Sequence, residues 1–250
     1  MDEKADTIKD FSLLGIKTEL ILKLNSFGIS EPSLIQQKTI PAVLENSNVI
    51  FESETGTGKT FAYLLPLVQK LEAENNAENK IIILAPTYEL ASQIKSTAQR
   101  ITELKSALLI GGTPIKRQIE LLKDKPRIII GNPSRILELI HLKKIKTSNV
   151  KALVLDEADR LVSVEIAEET KKLISNIPCD AQFIACSATI NQNTKKNLEN
   201  FFSNVKEIIL PKEDILSKKI THWAIFAETR DKISTLKSFL LAKKKKKALI

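Results

Sequence analysis

Short apolar runs, unbroken in all but the last, recur along the chain at Val49 to Phe51, Ile81 to Ala85, Ala107 to Ile110, Ile128 to Ile130, Ala152 to Leu155, Phe183 to Cys186 and Val205 to Leu210. The longer segments between them carry apolar residues at helical spacing. Such runs read as strands buried on both faces, and the intervening helices as the crossovers that parallel neighbours require. The pattern predicts an α/β fold: a mostly parallel sheet of about seven strands with helices on both faces, holding a ligand outside the carboxyl ends of its strands.

Before the first strand, a charged opening gives way to Phe11, an apolar anchor, followed by a short amphipathic helix that stops at Gly28. Pro32-Ser33 then starts a second helix bearing Ile35, Gln36 and Ile40. Pro66 should bend the helix after the first strand, because its ring displaces a backbone hydrogen bond one turn back. Beyond Leu210 the text changes. Residues 211–220 read as a linker, Thr221 to Ala227 as an alternating strand, Thr229 to Ala242 as a helix and Lys243 to Lys247 as a solvated charge run, before Ala248-Leu249-Ile250 turns apolar. The expected organisation is one domain over 1–210 and, over 221–250, the beginning of a second, truncated one; a frayed apolar end is the alternative for the last residues.

Composition narrows the class. With 250 residues, 43% of them hydrophobic, there is ample material for a buried core. Lys and Arg number 38 against 30 Asp and Glu, giving a net charge of +8, which favours a polyanionic partner or else reflects lysine-rich solvated helices. Cys179 and Cys186 form no CxxC, and beside them stand only His141 and His222, so no metal-ligand set is present. No basic-plus-apolar leader opens the chain, and no apolar run approaches the roughly 20 residues of a membrane span. A cytoplasmic, non-membrane protein is expected.

Two stretches carry chemistry. Ser53-Glu54-Thr55-Gly56-Thr57-Gly58-Lys59-Thr60 lies between the first apolar run and a helical pattern, the layout of a P-loop that cradles a triphosphate. Its glycines admit backbone N–H groups to the phosphates, Lys59 offsets their charge, and the Thr60 hydroxyl is placed to hold Mg²⁺. Ser53 replaces the usual first glycine. The run Ala152 to Leu155 ends in Asp156-Glu157-Ala158-Asp159, which puts carboxylates at the same edge of the sheet. There Asp156 would hold Mg²⁺, partly through water, and Glu157 would orient and deprotonate the attacking water. The structural alternatives are a helix cap for Asp156 and a surface pair for Asp159 with Arg160.

Spelled in one-letter code, residues 156–159 read D-E-A-D. Together with Ser53 to Thr60 and Ser187-Ala188-Thr189 they resemble the DEAD-box family of ATP-dependent RNA helicases. Further likenesses follow in family order. Phe11 and the run Gly28 to Gln36 resemble the adenine-reading Q motif, with Gln36 as the amide that donates and accepts at the base. Pro86-Thr87-Tyr88-Glu89-Leu90-Ala91, Gly111-Gly112 and Asn132-Pro133-Ser134-Arg135 resemble the motifs that grip the nucleic-acid strand. The resemblance implies a RecA-like domain that binds ATP and Mg²⁺, and RNA contacts to sugar and phosphate from Pro86, Thr87, Gly111, Gly112, Pro133 and Arg135. It also implies that Asp159, Ser187 and Thr189 couple ATP turnover to strand separation, Ser187 and Thr189 being equally suited to cap the next helix.

Departures from the family pattern are Tyr88 where an arginine is usual, Asn132 and Ser134 within the third gripping motif, and Ile29 where an aromatic is commonly laid against adenine. They bear on RNA and base binding, Tyr88 removing one cationic partner for a phosphate, and not on the phosphate loop or the acids. The resemblance further implies a second domain supplying an arginine finger, whose loss costs about 10³- to 10⁵-fold in rate, so these residues alone should bind nucleotide and turn it over very slowly. The expected molecule is a monomer that partners RNA, with protein partners recruited through flanking regions. A DNA-directed helicase or translocase, and a non-catalytic nucleic-acid-binding scaffold with a relic ATP site, are the competing functions.

Overall fold

The computed structural model describes residues 8–54, 56–201, 204–210 and 225–242. Seven strands are observed: β1 (Asn48–Glu52), β2 (Lys80–Leu84), β3 (Ser106–Leu109), β4 (Ile128–Gly131), β5 (Val150–Asp156), β6 (Gln182–Ser187) and β7 (Val205–Ile209). They form one parallel sheet in the order β3-β4-β2-β5-β6-β1-β7. The sheet has the parallel α/β architecture that the apolar runs predict, with every run falling on its strand to within a residue or two at the ends.

Helices cover both faces. α1 (Thr18–Ser26), α2 (Leu34–Leu44), α3 (Lys59–Ala73) and α4 (Tyr88–Ile101) pack on one side. On the other lie α5 (Ile115–Lys123), α6 (Pro133–His141), α7 (Ala158–Leu161), α8 (Ala167–Ile174) and α9 (Gln192–Glu199). The strands divide their side chains between two cores with a period of two. Val49, Phe51, Ile81, Ile83, Ala152, Val154, Ile184 and Cys186 face the α1–α4 side, while Ile50, Ile82, Leu84, Leu153, Leu155, Phe183 and Ala185 face the other. Both faces being buried explains why the strands read as continuous apolar text rather than as alternation.

Close backbone approach fixes one detail of the sheet. A Cβ on Gly131 would lie 1.8 Å from the Leu109 carbonyl oxygen, so only glycine fits where β4 leaves the sheet beside β3. α3 runs unbroken through Pro66, and α2 likewise contains Pro41. Cys186 is buried, Cys179 is exposed, and neither forms a disulfide.

The chain divides into two compact units at residue 210. Of the second, residues 225–242 are described: a short 3₁₀ turn at Thr229–Asp231 leads into α10 (Lys232–Ala242). The expected strand Thr221 to Ala227 is not supported where it can be seen, since Ile225 to Ala227 have no regular structure; 221–224 lie outside the described residues. The linker 211–220 and the tail 243–250 lie outside them as well. No helix of the described residues is long and apolar enough to cross a membrane.

Candidate nucleotide and nucleic-acid site

Every chemistry-bearing stretch singled out after β1 falls at the carboxyl edge of the sheet, and the strand order sorts them. Ser53 to Thr60 follows β1, Asp156 to Asp159 ends β5, and Ser187 to Thr189 ends β6, so these three are consecutive across the half β5-β6-β1. Pro86-Thr87 follows β2, Gly111-Gly112 follows β3, and Asn132 to Arg135 follows β4, which makes up the other half. The two candidate acids and the phosphate loop are therefore not on neighbouring strands: β6 lies between them, pairing Asp156 with Cys186 on one side and Phe51 with Cys186 on the other. They nevertheless share one electrostatic site, because the Lys59 ammonium acts on the Asp156 carboxylate.

The phosphate loop turns through two glycines in the left-handed region, Gly56 (φ 83°) and Gly58 (φ 90°), the second serving as N-cap of α3. Its interior is tied by Ser53 Oγ donating to Thr57 Oγ1 at 2.7 Å and Thr57 Oγ1 donating to the Glu54 carbonyl at 2.8 Å. Lys59 Nζ donates to the carbonyls of Ser53 (2.6 Å) and Glu54 (2.8 Å), bonds that it must exchange to reach a phosphate. Thr60 occupies the first turn of α3, and Thr55 lies outside the described residues.

Gln36 comes to this loop from α2. Its Nε2 donates to the Gly58 carbonyl at 3.1 Å, and its Oε1 accepts from the Ser33 N–H at 2.9 Å. The amide expected to read adenine thus also clamps its own segment to the phosphate loop. Neighbouring Gln37 donates to the Pro32 carbonyl and accepts from the Ile8 N–H, bracing the same segment. Phe11 is buried in the core with 1% exposure, and Ile29 packs against that core.

Asp156 is almost wholly buried. The parity of β5 turns it toward the α3 side, where Tyr63 meets it: the Tyr63 hydroxyl donates to Oδ2 at 2.8 Å. Cys186 Sγ donates to Oδ1 at 3.2 Å, and the Glu157 N–H donates to the same oxygen at 3.0 Å. Burial pushes the Asp156 carboxyl above its ordinary range, against the opposing pull of these donors and of Lys59. Burial likewise pushes the Tyr63 phenol and the Cys186 thiol well up, so both remain protonated donors. Neither residue is marked by the sequence motifs. Tyr63 reads there as one more apolar position of α3, and the available hint is its place three residues after Thr60, on the same helical face.

Glu157 turns out of the strand in a left-handed conformation (φ 53°, ψ 54°), and its carboxylate pairs with Arg160 at 3.1 Å. Asp159 Oδ2 accepts from the Thr189 hydroxyl at 3.1 Å, joining the acidic stretch to the Ser-Ala-Thr stretch. Ser187 closes the circuit: its carbonyl accepts from the Ser53 N–H at 3.0 Å and its hydroxyl accepts from the Thr189 N–H at 3.3 Å. Glu52, which the sequence motifs also leave unmarked, accepts from the Ile190 N–H at 2.9 Å and so ties the end of β1 to the same segment.

On the other half of the edge, Thr87 caps α4 by accepting from the Leu90 N–H at 3.2 Å, and Tyr88 beside it is exposed. Gly111 and Gly112 are exposed and Pro133 is buried at the start of α6. Arg135 is largely engaged by the protein itself: Nη1 donates to the Thr113 carbonyl at 2.8 Å and Nε pairs with Glu138 at 2.9 Å. It fastens the loop after β3 to α6, leaving fewer donors for a phosphate than an extended arginine would offer.

The donors suit Mg²⁺ held jointly with a nucleotide. Among the described residues no cluster of three or more His, Cys, Asp or Glu could hold a metal by itself. One carboxylate, Asp156, and one hydroxyl, Thr60, stand beside a loop built for phosphates, and Mg²⁺ characteristically takes one or two protein oxygens together with phosphate oxygens and water. At Gly58 the positive φ disfavours any other residue, and a Cβ there would stand 2.3 Å from Gln36 Nε2 and displace that amide.

Residues 33–197 match the model of the DEAD/DEAH box helicase family. The chain is 36% identical over 228 residues to the DEAD-box ATP-dependent RNA helicase CshB of Bacillus subtilis, covering 89% of this chain and 52% of that protein. It is 39% identical over 208 residues to CshC of Bacillus cereus, covering 82% and 53%. Among solved structures it resembles a DEAD box protein from the hyperthermophile Methanococcus jannaschii, with TM-score 0.76, 27% identity and coverage of 94% and 64%. It also resembles Saccharomyces cerevisiae Dbp5 bound to RNA and ADP BeF3, with TM-score 0.72, 27% identity and coverage of 81% and 52%. The chain spans about half the length of the curated relatives it matches.

Proposed function

The chain belongs to the DEAD/DEAH box helicase family, and from that premise we propose that it provides the ATP-binding, amino-terminal RecA-like domain of an ATP-dependent RNA helicase. The observation that carries the reading is the meeting of the phosphate loop and the acidic strand end across β6, with Lys59 acting on Asp156. Lys59 and the loop N–H groups bind the phosphates, Thr60 and Asp156 hold Mg²⁺, and Gln36 addresses adenine with the hydrogen-bonding capacity left over from Ser33 and Gly58. Bound magnesium would offset charge on the phosphate oxygens. Glu157, swung clear of the strand by its left-handed backbone, exchanges Arg160 for the attacking water and takes its proton.

RNA lies across the β3-β4-β2 half, gripped at sugar and phosphate by Pro86, Thr87, Gly111, Gly112, Pro133 and Arg135. The Asp159–Thr189 bond and the Ser187–Ser53 bond link the acidic stretch, the Ser-Ala-Thr stretch and the phosphate loop within the β5-β6-β1 half, and turnover is tied to local opening of a duplex through the Ser-Ala-Thr stretch. An arginine finger and the rest of the RNA path come from a second RecA-like domain, which residues 221–250 begin. The protein acts as a cytoplasmic monomer, with protein partners engaged through flanking regions.

The test is titration of the chain with a fluorescent ADP analogue in Mg²⁺, followed by ATPase assays on a protein carrying both domains with single-stranded RNA or DNA. Binding that is lost in Lys59→Ala, with turnover stimulated by RNA and not by DNA, is expected. Absence of nucleotide binding would overturn the ATP site; equal stimulation by DNA would overturn the RNA assignment.

A further inference from the structure

One buried titratable group has no part in the proposed chemistry. Tyr63 has no solvent exposure, and its hydroxyl is nonetheless hydrogen-bonded: it donates to Asp156 Oδ2 at 2.8 Å. A carboxylate only accepts, so the phenol proton points at Asp156. The donors around Asp156 fill its acceptor positions selectively. Oδ1 takes Cys186 Sγ–H and Glu157 N–H, Oδ2 takes Tyr63, and of about four positions on a carboxylate one remains, on Oδ2.

We propose that Tyr63 is a positioning residue for the metal–nucleotide site, its phenol fixing the orientation of the Asp156 carboxylate and leaving a single Oδ2 position on it open to a magnesium-bound water. The inference rests on the reading of this edge as an ATP site. It assigns Tyr63 a role that phenylalanine, which fills the same space without the hydroxyl, does not reproduce. Groups that orient metal-holding side chains typically contribute about 10- to 100-fold to metal affinity.

The experiment uses the chain as it stands, with a fluorescent ADP analogue titrated in EDTA and across a Mg²⁺ series, in wild type and in Tyr63→Phe. The expected result is unchanged affinity in EDTA and a Mg²⁺ midpoint for tightened binding shifted upward about 10-fold in the variant. An unshifted midpoint, or an equal loss with and without Mg²⁺, overturns the proposal, the latter by reducing Tyr63 to packing. Wild-type binding that ignores Mg²⁺ would instead sink the underlying metal–nucleotide reading. Should Tyr63→Phe fail to fold, the wild-type chain still decides: with two tyrosines in the chain, the Tyr63 signals are simple to assign by NMR. Those signals should move on adding Mg²⁺ to the ADP-bound chain and stay still on adding buffer alone; no movement with Mg²⁺ overturns the proposal.

Discussion

The Gln36 carboxamide lies against Gly58, donating to its carbonyl at 3.1 Å at a point where a single added methyl would stand 2.3 Å from the same nitrogen. Gly58→Ala therefore displaces Gln36 and forces alanine into a left-handed backbone that costs about 1–2 kcal/mol. The expected outcome is a lower melting temperature together with at least a roughly tenfold loss of ADP affinity, read by fluorescence titration. Wild-type affinity in this variant would show that the contact is dispensable.

Glu157 stands at the end of β5 without its side chain taking part in the bonds that bury Asp156. Glu157→Gln keeps its shape and removes its basicity. In a protein carrying both domains, ATP binding should persist while RNA-stimulated turnover falls by about 10²-fold or more. Steady-state phosphate release measures it, and turnover near wild type would remove Glu157 from its assigned role.

Asp156 gives a dependence on pH. Its pKa in the fold is raised above the ordinary 3.8 chiefly by burial, so the protonated form suits the fold better than the carboxylate. The associated stability is complete below 3.8 and is lost as pH rises through the folded value, which makes the carboxylate destabilising at neutral pH. Asp156→Asn should melt a few degrees higher than wild type near about pH 8 in EDTA, with the gap closing toward about pH 4. A gap that does not change with pH would mean that the three donors fully offset burial.

The Thr189 hydroxyl reaches Asp159 across the gap between β6 and β5. If this bond relays turnover to the strand-gripping half, Thr189→Val should leave RNA-stimulated ATPase within about twofold and reduce duplex unwinding roughly tenfold, the scale of about 1.4 kcal/mol of coupling. Parallel loss of both activities would assign Thr189 to the ATP site itself.

The central strands are legible because they are buried on both faces, so apolar runs such as Ile81 to Ala85 stand out against polar loops, whereas the edge strand β7 exposes Lys206 and Glu207. What the text does not encode is the order in which strands lie side by side. Periodicity places Asp156 at a strand end and gives no sign that β6 intervenes before the phosphate loop, a fact of crossover geometry. The motifs locate Gln36, yet its grip on Gly58 spans 22 residues and depends on how α2 docks. Tyr63 is hidden for a different reason: its ring satisfies the helical core pattern by itself, and the hydroxyl adds nothing to that pattern. Beyond residue 210 the alternation read over Thr221 to Ala227 misleads at Ile225 to Ala227, which have no regular structure, because alternation alone does not make a strand without a partner to pair with.

The left-handed backbone of Glu157 sets a trap for anyone trying to toughen this protein. Glycine would occupy that conformation without strain, so a selection that rewards heat resistance alone would favour Glu157→Gly. On the proposed reading of the site, its winner would be a sturdier scaffold that still takes up ATP and has lost the means to hydrolyse it.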